Sequence, residues 1–370
     1  MQLVTLSIAR NILKSESRDR ERMRQYAEHL DGLHIVVLTR KKHDFSDEVH
    51  EGKLHIYPTH SRSRFLMLID GFRIAYRILC SKHESRFTIT AQDPLELGLV
   101  SYILSRITNT PFTVQMHGDY YSPYWTEGKM TRYLRRMLIP RILARATKVR
   151  IVSSRQKTSL DTFGIPEEKI TTLPIRPELE TFLQAYVGRA ENSRFTILTA
   201  SRLAPEKNIP LLIEAFALFH TSHPDSVLRI VGEGEEYAHI LHAVKKYALL
   251  SVVHIVPWTE HIETEMAAAD VFVLTSLHES YGLVLLESLA TGTPVITTDV
   301  GMAREHVLDG IHGSIVPVND VNAVVTSLCC IYEDRELRKE MGRHGHELAK
   351  KLSLQSREQY AKEWVAAHTV

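Results

Sequence analysis

The segment Ser201-Arg202-Leu203-Ala204-Pro205-Glu206-Lys207-Asn208 places a guanidinium and an ammonium five residues apart, between a short apolar run and a helical one. Arginine offers phosphate oxygens a planar fork and lysine a compact point charge. With the free N–H groups of a helix start beside them, two such cations suit a diphosphate. Standing alone, the same residues also read as a solvated turn with two surface charges. Further on, Thr275-Ser276-Leu277-His278-Glu279-Ser280-Tyr281-Gly282-Leu283-Val284-Leu285-Leu286-Glu287 sets two carboxylates eight positions apart around a glycine. Gly282 lets the backbone approach a ligand closely. Two carboxylates can accept from the hydroxyls of two separate diols. Glu287 sits in a run of leucine and valine, where a carboxylate needs a partner, so it reads either as a ligand contact or as a bridge within the core.

Other groups with chemical potential are fewer. Gln115-Met116-His117-Gly118-Asp119 follows an apolar run. A lone histidine is more often structural, but a strand end followed by glycine favours a working role for His117. Thr291-Gly292-Thr293-Pro294-Val295-Ile296 is helix–turn–strand punctuation and carries little by itself. No Asp-x-Asp triplet occurs, so the sequence does not indicate a catalytic metal. Cys80, Cys329 and Cys330 supply neither a disulfide framework nor a zinc set, and are expected to be buried thiols in a reducing compartment.

Something must hold these loops. With 370 residues, 44% hydrophobic and 24% charged, the chain is long enough for two ordinary cores. Short apolar runs alternate with helical patterns, the signature of βαβ units. In the first half, 3–8, 34–39, 86–90, 112–115 and 148–152 read as strands, and 19–30, 65–80, 95–105 and 132–145 as helices. Ser153 or Ser154 should cap a helix that ends at Gly164. Residues 173–190, with Pro174 and Pro177, read as the connection. Alternation then restarts with strands at 195–200, 227–231, 253–256, 271–274 and 295–298, and helices at 210–220, 238–248 and 283–291. The expected architecture is α/β: two Rossmann-like domains whose parallel sheets face a central cleft. Residues 1–175, joined by a C-terminal helix at 355–370, form the first domain, and 176–354 the second. Ligands of such sheets bind beyond the carboxyl ends of the strands, where the loops at 115–119, 201–208 and 275–282 lie.

Charge divides the chain. Residues 1–175 hold 28 Lys and Arg against 18 Asp and Glu, and the remainder 17 against 26, or +10 and −9. A basic half either meets something anionic or is charged for solubility. The first ten residues show no cleavage pattern, and 65–79 carries Asp70, Arg73 and Arg77, so no spanning segment is expected. The apolar runs flanked by Arg62, Arg64, Arg73 and Arg77 or punctuated by Arg132, Arg135, Arg136, Arg141 and Arg145 can lie in a bilayer interface. Their more usual fate is to pack inward with the arginines solvated. The expected address is cytoplasmic, with peripheral contact at the inner face of an anionic membrane left open.

Taken together, Ser-Arg-Leu-Ala-Pro-Glu-Lys-Asn at 201–208, Val-Gly-Glu-Gly at 231–234, Ala-Ala-Ala-Asp at 267–270, Glu-x7-Glu at 279–287 and Thr-Gly-Thr-Pro-Val-Ile at 291–296 resemble family 4 of the retaining glycosyltransferases, of GT-B fold. The resemblance implies a nucleotide-sugar donor bound by the second domain and a glycan or lipid-linked acceptor held by the first. It implies no cofactor, no metal and no nucleic-acid partner. Carried over by position, Arg202 and Lys207 would hold the diphosphate, with Ser201 and Gly232 lining the site. Glu287 would take the ribose hydroxyls. Glu279, with the backbone of Tyr281, Gly282 and Leu283, would hold the transferred sugar and phosphate. Pro257 and Trp258 stand where the base is usually met, in place of a glycine. His117 would lie beside the transferred sugar, with Asp119, Tyr120 and Tyr121 towards the acceptor. His117, Glu279, Arg202 and Lys207 form the implied catalytic set, completed by domain closure. Two departures concern the first domain and the connection. Ala9-Arg10-Asn11-Ile12 replaces a glycine-rich loop, and Pro174-Ile175-Arg176-Pro177 replaces an Asn-Gly. A nicotinamide dehydrogenase is disfavoured, because Gly232-Glu233-Gly234 is followed by Glu235-Glu236, acids that would repel a pyrophosphate. A non-catalytic nucleotide-sugar-binding protein and a GT-B epimerase are the alternatives.

Overall fold

All six residues of the first strand, Gln2–Ser7, are buried, which demands neighbours on both edges and cover on both faces. In the computed structural model of the chain this strand is indeed central. The structure describes residues 1–43, 45, 47–81, 86–126, 130–186 and 194–370. Two compact units result, one of Met1–Pro174 with Gln355–Val370 and one of Ile175–Leu354.

The first unit is built on strands β1 (Gln2–Ser7), β2 (Gly32–Val37), β3 (Val49–Glu51), β4 (Leu54–Pro58), β5 (Phe87–Ala91), β6 (Phe112–Met116), β7 (Lys148–Ile151) and β8 (Ile170–Thr172). They lie in the order β3-β4-β2-β1-β5-β6-β7-β8, parallel except for the β3–β4 hairpin at one edge. That hairpin was not expected from the sequence, because its three-residue outer strand carries no apolar alternation. The helices are α1 (Arg18–Glu28), α2 (Arg64–Ser81), α3 (Glu96–Thr108), α4 (Pro123–Thr126), α5 (Met130–Arg145) and α6 (Ser154–Asp161). Ser17 caps α1 by accepting from the Arg20 amide at 3.1 Å. Ser153 is the N-cap residue of α6, although its own hydroxyl makes no capping bond. Helices α2, α3 and α5 share a core with β1, β5, β6 and β7, through Ile78, Leu104, Ile139 and Leu143. On the sheet's other core, Tyr26 of α1 stacks on Trp364 at 4.4 Å, so the C-terminal helix closes this unit.

The second unit has α7 (Glu180–Gln184), β9 (Phe195–Ala200), α8 (Ile209–Ser222), β10 (Ser226–Val231), α9 (Tyr237–Lys246), β11 (Val253–Val256), α10 (Ile262–Ala268) and β12 (Val271–Leu274). It continues with α11 (Leu283–Ala290), β13 (Val295–Thr298), α12 (Ala303–His306), β14 (Gly313–Val316), α13 (Val321–Glu333) and α14 (Arg335–Ser353), and α15 (Arg357–His368) returns to the first unit. The six strands are parallel in the order β11-β10-β9-β12-β13-β14. Phe216 and Phe219 of α8 and Leu328 of α13 fill the core on these strands. Helices α11 and α14 approach closely: a Cβ at Gly342 would stand 2.2 Å from the Gly292 carbonyl. Residues 187–190 of the expected connection fall outside the described residues.

The cysteines correct the sequence reading. Cys80 and Cys330 are exposed and Cys329 is half-buried, because positions 80 and 330 fall on the outer faces of amphipathic α2 and α13. Among the described residues, no helix is long and apolar enough to cross a membrane.

Candidate active site

In the second unit the chain runs outward from β9 to β10 and β11, then returns to lay β12, β13 and β14 on the other side. The carboxyl ends of β9 and β12 therefore flank the point where strand order reverses, the standard crevice of an open α/β sheet. The two loops leaving those ends are bonded to each other. The Leu277 amide donates to the Glu206 carbonyl at 2.8 Å, and Thr275 Oγ1 donates to the carbonyls of Lys207 and Asn208, each at 3.2 Å. Lys207 Nζ lies 2.5 Å from Glu279 Oε1, and Ser276 Oγ donates to the same oxygen at 2.7 Å. Both partners are well covered, the side chains 17% and 12% exposed. A carboxylate so placed is stable only because it is paired and hydrogen-bonded. Oε1 takes both donors, and Oε2 has no hydrogen bond among the described residues. Ser276 is itself fixed by Thr298 Oγ1, which donates to its carbonyl at 2.6 Å.

Arg202 is treated differently from Lys207. It is 72% exposed and pairs with Glu206 at 2.5 Å across one turn. Each cation of the loop thus has a carboxylate partner. Between them, Pro205–Lys207 forms a single 3-10 turn, and Asn208, at φ +50°, starts α8 while its side-chain Nδ2 donates to Asn319 Oδ1 at 2.8 Å. Ser201 is buried against Gly232. At φ +151°, a Cβ on Gly232 would meet the Ser201 carbonyl at 1.9 Å, so only glycine fits. The Gly232 amide donates to the Val256 carbonyl at 3.0 Å, which ties it to the strand that delivers Pro257 and Trp258. Both of those are exposed, Trp258 by 55%. An indole this open needs no core role and is free to stack on a planar ligand.

Gly282 starts α11 at φ +91° and offers no side chain to cap it, so the Leu283 and Val284 amides at the helix start are potential anion donors, while the Leu285 amide donates to the Gly282 carbonyl at 3.1 Å. Leu283 and Glu287 lie half-buried on α11, between the buried Leu285, Leu286, Ser288 and Leu289. Tyr281 is held from the loop after β13. Its hydroxyl lies 3.1 Å from His306 Nε2 and its carbonyl accepts from the Met302 amide at 2.8 Å. Gly301 makes that approach possible, for a Cβ there would stand 2.4 Å from the Tyr281 carbonyl.

In the first unit the strand order reverses between β1 and β5, where Ser7 Oγ donates to Gln92 Oε1 at 2.7 Å. Instead of a glycine-rich loop, Arg10–Leu13 forms a 3-10 helix that buries Ile12 and Leu13. His117 follows β6. Its Nε2 lies 3.0 Å from Gln115 Oε1, and Arg150 Nη1 donates to that same oxygen at 3.1 Å. A guanidinium has no acceptor, so Arg150 fixes the Gln115 amide with its oxygen towards both neighbours. His117 Nε2 must then carry the hydrogen, leaving Nδ1 as a bare acceptor. Burial, helped by the Arg150 and Arg22 charges, pulls the His117 pKa down to about 3, so the ring is neutral at ordinary pH. Arg150 is anchored in turn by the Leu173 carbonyl at 3.0 Å and by Tyr360 Oη at 2.9 Å.

The remaining acceptor-side residues divide. Asp119 Oδ1 accepts from the Ser122 amide at 3.1 Å and shapes the turn. Tyr120 is buried over Gly118 and meets Trp125 edge-on at 5.4 Å, so it is a packing residue in this structure. Tyr121 packs tilted against Phe163 under the Arg136 guanidinium, and its buried hydroxyl has no hydrogen-bond partner among the described residues. Sequence reasoning did not single out Ser276, His306, Arg150 or Asp93. Asp93 stands just past β5, and burial, with Glu96 adding to it, pushes its pKa up to about 6 against the pull of the Leu95 amide. A Gln-Asp-Pro immediately after a strand was the available signal. Among the described residues, no group of three or more His, Cys, Asp or Glu could hold a metal ion.

Two family profiles match the chain: "Glycosyl transferase 4-like domain" over residues 20–176 and "Glycosyl transferases group 1" over 187–348. Similar curated proteins include N-acetyl-alpha-D-glucosaminyl L-malate synthase of Bacillus anthracis, 31% identical over 45% of this chain and 43% of that one. Another is the UDP-Gal:alpha-D-GlcNAc-diphosphoundecaprenol alpha-1,3-galactosyltransferase of Escherichia coli, 25% identical over 74% of each chain. Several curated relatives are matched over less than half their own length. Among solved structures, sucrose-phosphate synthase from Thermosynechococcus elongatus superposes with a TM-score of 0.80 at 22% identity, covering 99% of this chain and 98% of that one.

Proposed function

The chain belongs to the group 1 glycosyl transferases of GT-B fold, and from that premise we propose that it moves a sugar from a nucleoside-diphosphate sugar to a hydroxyl acceptor, with retention of configuration and without a metal. The observation that carries this reading is the Lys207–Glu279 pair joining the loops after β9 and β12. It puts a cation and a carboxylate together at the switch point of one sheet. Lys207 and Arg202, with the uncapped start of α11, neutralise the charge that develops on the leaving diphosphate. Glu279 holds the transferred sugar through Oε2, and Glu287 takes the ribose. Trp258 supports the base. The anomeric C–O bond to phosphate breaks while the acceptor oxygen bonds to the same face, and the acceptor proton passes to the leaving phosphate.

The acceptor is assigned to the first unit, where His117 offers a neutral ring and a free Nδ1 lone pair to a sugar hydroxyl. A glycan or lipid-linked acceptor, met at the cytoplasmic side, accords with the Escherichia coli relative, a galactosyltransferase of alpha-D-GlcNAc-diphosphoundecaprenol. Incubation with a panel of nucleotide-sugars, following nucleoside diphosphate release with and without glycan acceptors, tests the reading. The NMR anomeric coupling of the product reports retention. No release from any donor, with no thermal stabilisation by any nucleotide, would reject it.

A further inference from the structure

Helix α5 wears its apolar residues on both sides. Ile139, Ile142 and Leu143 point into the core, whereas Tyr133, Leu134, Met137 and Leu138 are exposed at the one-turn spacing that makes a continuous stripe. Arg141 and Arg145 continue that line towards the helix end. Next to it, α3 exposes Ile103 and Ile107 one turn apart. Because α2, α3 and α5 pack inward on one core, their outer sides form one layer surface. Of the 20 exposed large hydrophobic residues among those described, ten lie on these three helices. A soluble monomer rarely concentrates so much apolar surface without a use for it.

The charge on the same layer selects the occupant. The three helices carry nine arginines and two acids. Both acids are already engaged, Asp70 by Ser61 Oγ at 2.7 Å and Glu96 by Arg135 at 2.5 Å. A second copy would bring a like-charged face with no acid to receive it. An anionic bilayer offers both partners at once: phosphate oxygens for the guanidinium groups and an acyl boundary for the stripe. We propose that the outer face of the α2–α3–α5 layer rests on an anionic lipid surface, with the α5 stripe as its apolar anchor. This deepens the acceptor reading above, and its test does not depend on whether transfer occurs.

The experiment is co-sedimentation of the full chain with vesicles of phosphatidylcholine alone or with phosphatidylglycerol. Binding is expected only to the anionic vesicles, falling as salt shortens the screening length from about 10 Å at 0.1 M towards 3 Å at 1 M. Leu134→Glu with Met137→Glu should lower the vesicle partition coefficient by about tenfold or more, since two anchors of side-chain size are lost. Leu218→Glu, at an exposed position of the second unit, should leave it unchanged. Nucleoside diphosphate thermal shifts equal to wild type would show that the variants are folded. Undiminished binding by the double variant, an equal loss from Leu218→Glu, or no vesicle binding by the wild type would overturn the proposal. So would a wild-type dimer that the double variant dissolves, which would make the occupant a second copy.

Discussion

Lys207 Nζ lies 2.5 Å from Glu279 Oε1, a contact between residues 72 positions apart that bridges the loops leaving β9 and β12. Neither residue is assigned to the other by local spacing; the parallel order of the sheet brings them together. The pair lets a covered cation and a covered anion neutralise each other, and in the proposed reaction the diphosphate would compete for Lys207 and a sugar hydroxyl for Glu279.

Lys207→Ala should therefore reduce turnover by about 10²-fold or more, the scale of losing one charge-stabilising donor. Ser276→Ala removes only the second hydrogen bond to Glu279, and a loss of about tenfold is expected. Steady-state kinetics on folded variants decide the matter. A Lys207→Ala enzyme with wild-type kcat would remove this residue from the diphosphate site.

The two glutamates should separate by ligand. Calorimetry with the free nucleoside diphosphate is expected to show weaker binding for Glu287→Ala and nearly unchanged binding for Glu279→Ala, with transfer impaired in the latter. The opposite order would exchange their roles.

Activity should survive excess chelator, because the sequence has no Asp-x-Asp triplet and fixed cations are assigned to the leaving group. Loss on chelation that manganese or magnesium restores would show a metal to be required.

His117 predicts a pH effect of defined sign. Its folded pKa of about 3 lies below the ordinary histidine value of 6.5, so unfolding takes up a proton between those limits. The stability it contributes is fully present above pH 6.5 and is lost as pH falls towards 3. Replacing it by Gln should flatten the fall in melting temperature between neutral and mildly acidic pH. Nitrogen NMR should find Nε2 protonated and Nδ1 bare. An imidazolium spectrum at pH 6 would contradict the Arg150–Gln115 arrangement.

Gly301→Ala tests the support under Tyr281. At φ +53°, with the Tyr281 carbonyl 2.4 Å from the added carbon, it should cost about 1–3 kcal/mol and weaken donor binding. Gly310→Ala, at φ +76° with open space around it, should cost only the backbone strain of about 1–2 kcal/mol and leave binding alone. Denaturant melts with nucleotide titrations compare the two, and equal effects on binding would deny Gly301 its supporting role.

Period and punctuation determined much of this protein. Alternating apolar runs and helical patterns announced two α/β units, and strands such as Phe195–Ala200 and Val253–Val256 stand where those runs do. The candidate loops stood out because charged residues beside glycine at strand ends are the types that phosphate and diol binding would need. Other features depend on which chain segments become neighbours. Strand β3 is too short for a pattern to register, whereas the alternation of Leu54 and Ile56 in β4 is present in the sequence, where sequence reasoning did not single it out. Arg150 reaches Gln115 across adjacent strands and Tyr360 across 210 positions, so the protonation of His117 is a property of packing. Cys80 and Cys330 have the composition of buried residues but lie on outer helix faces. In α5 both faces are apolar, and periodicity cannot say which one turns inward. The sheet decides that by receiving Ile139, Ile142 and Leu143, and so leaves Leu134 and Met137 outside.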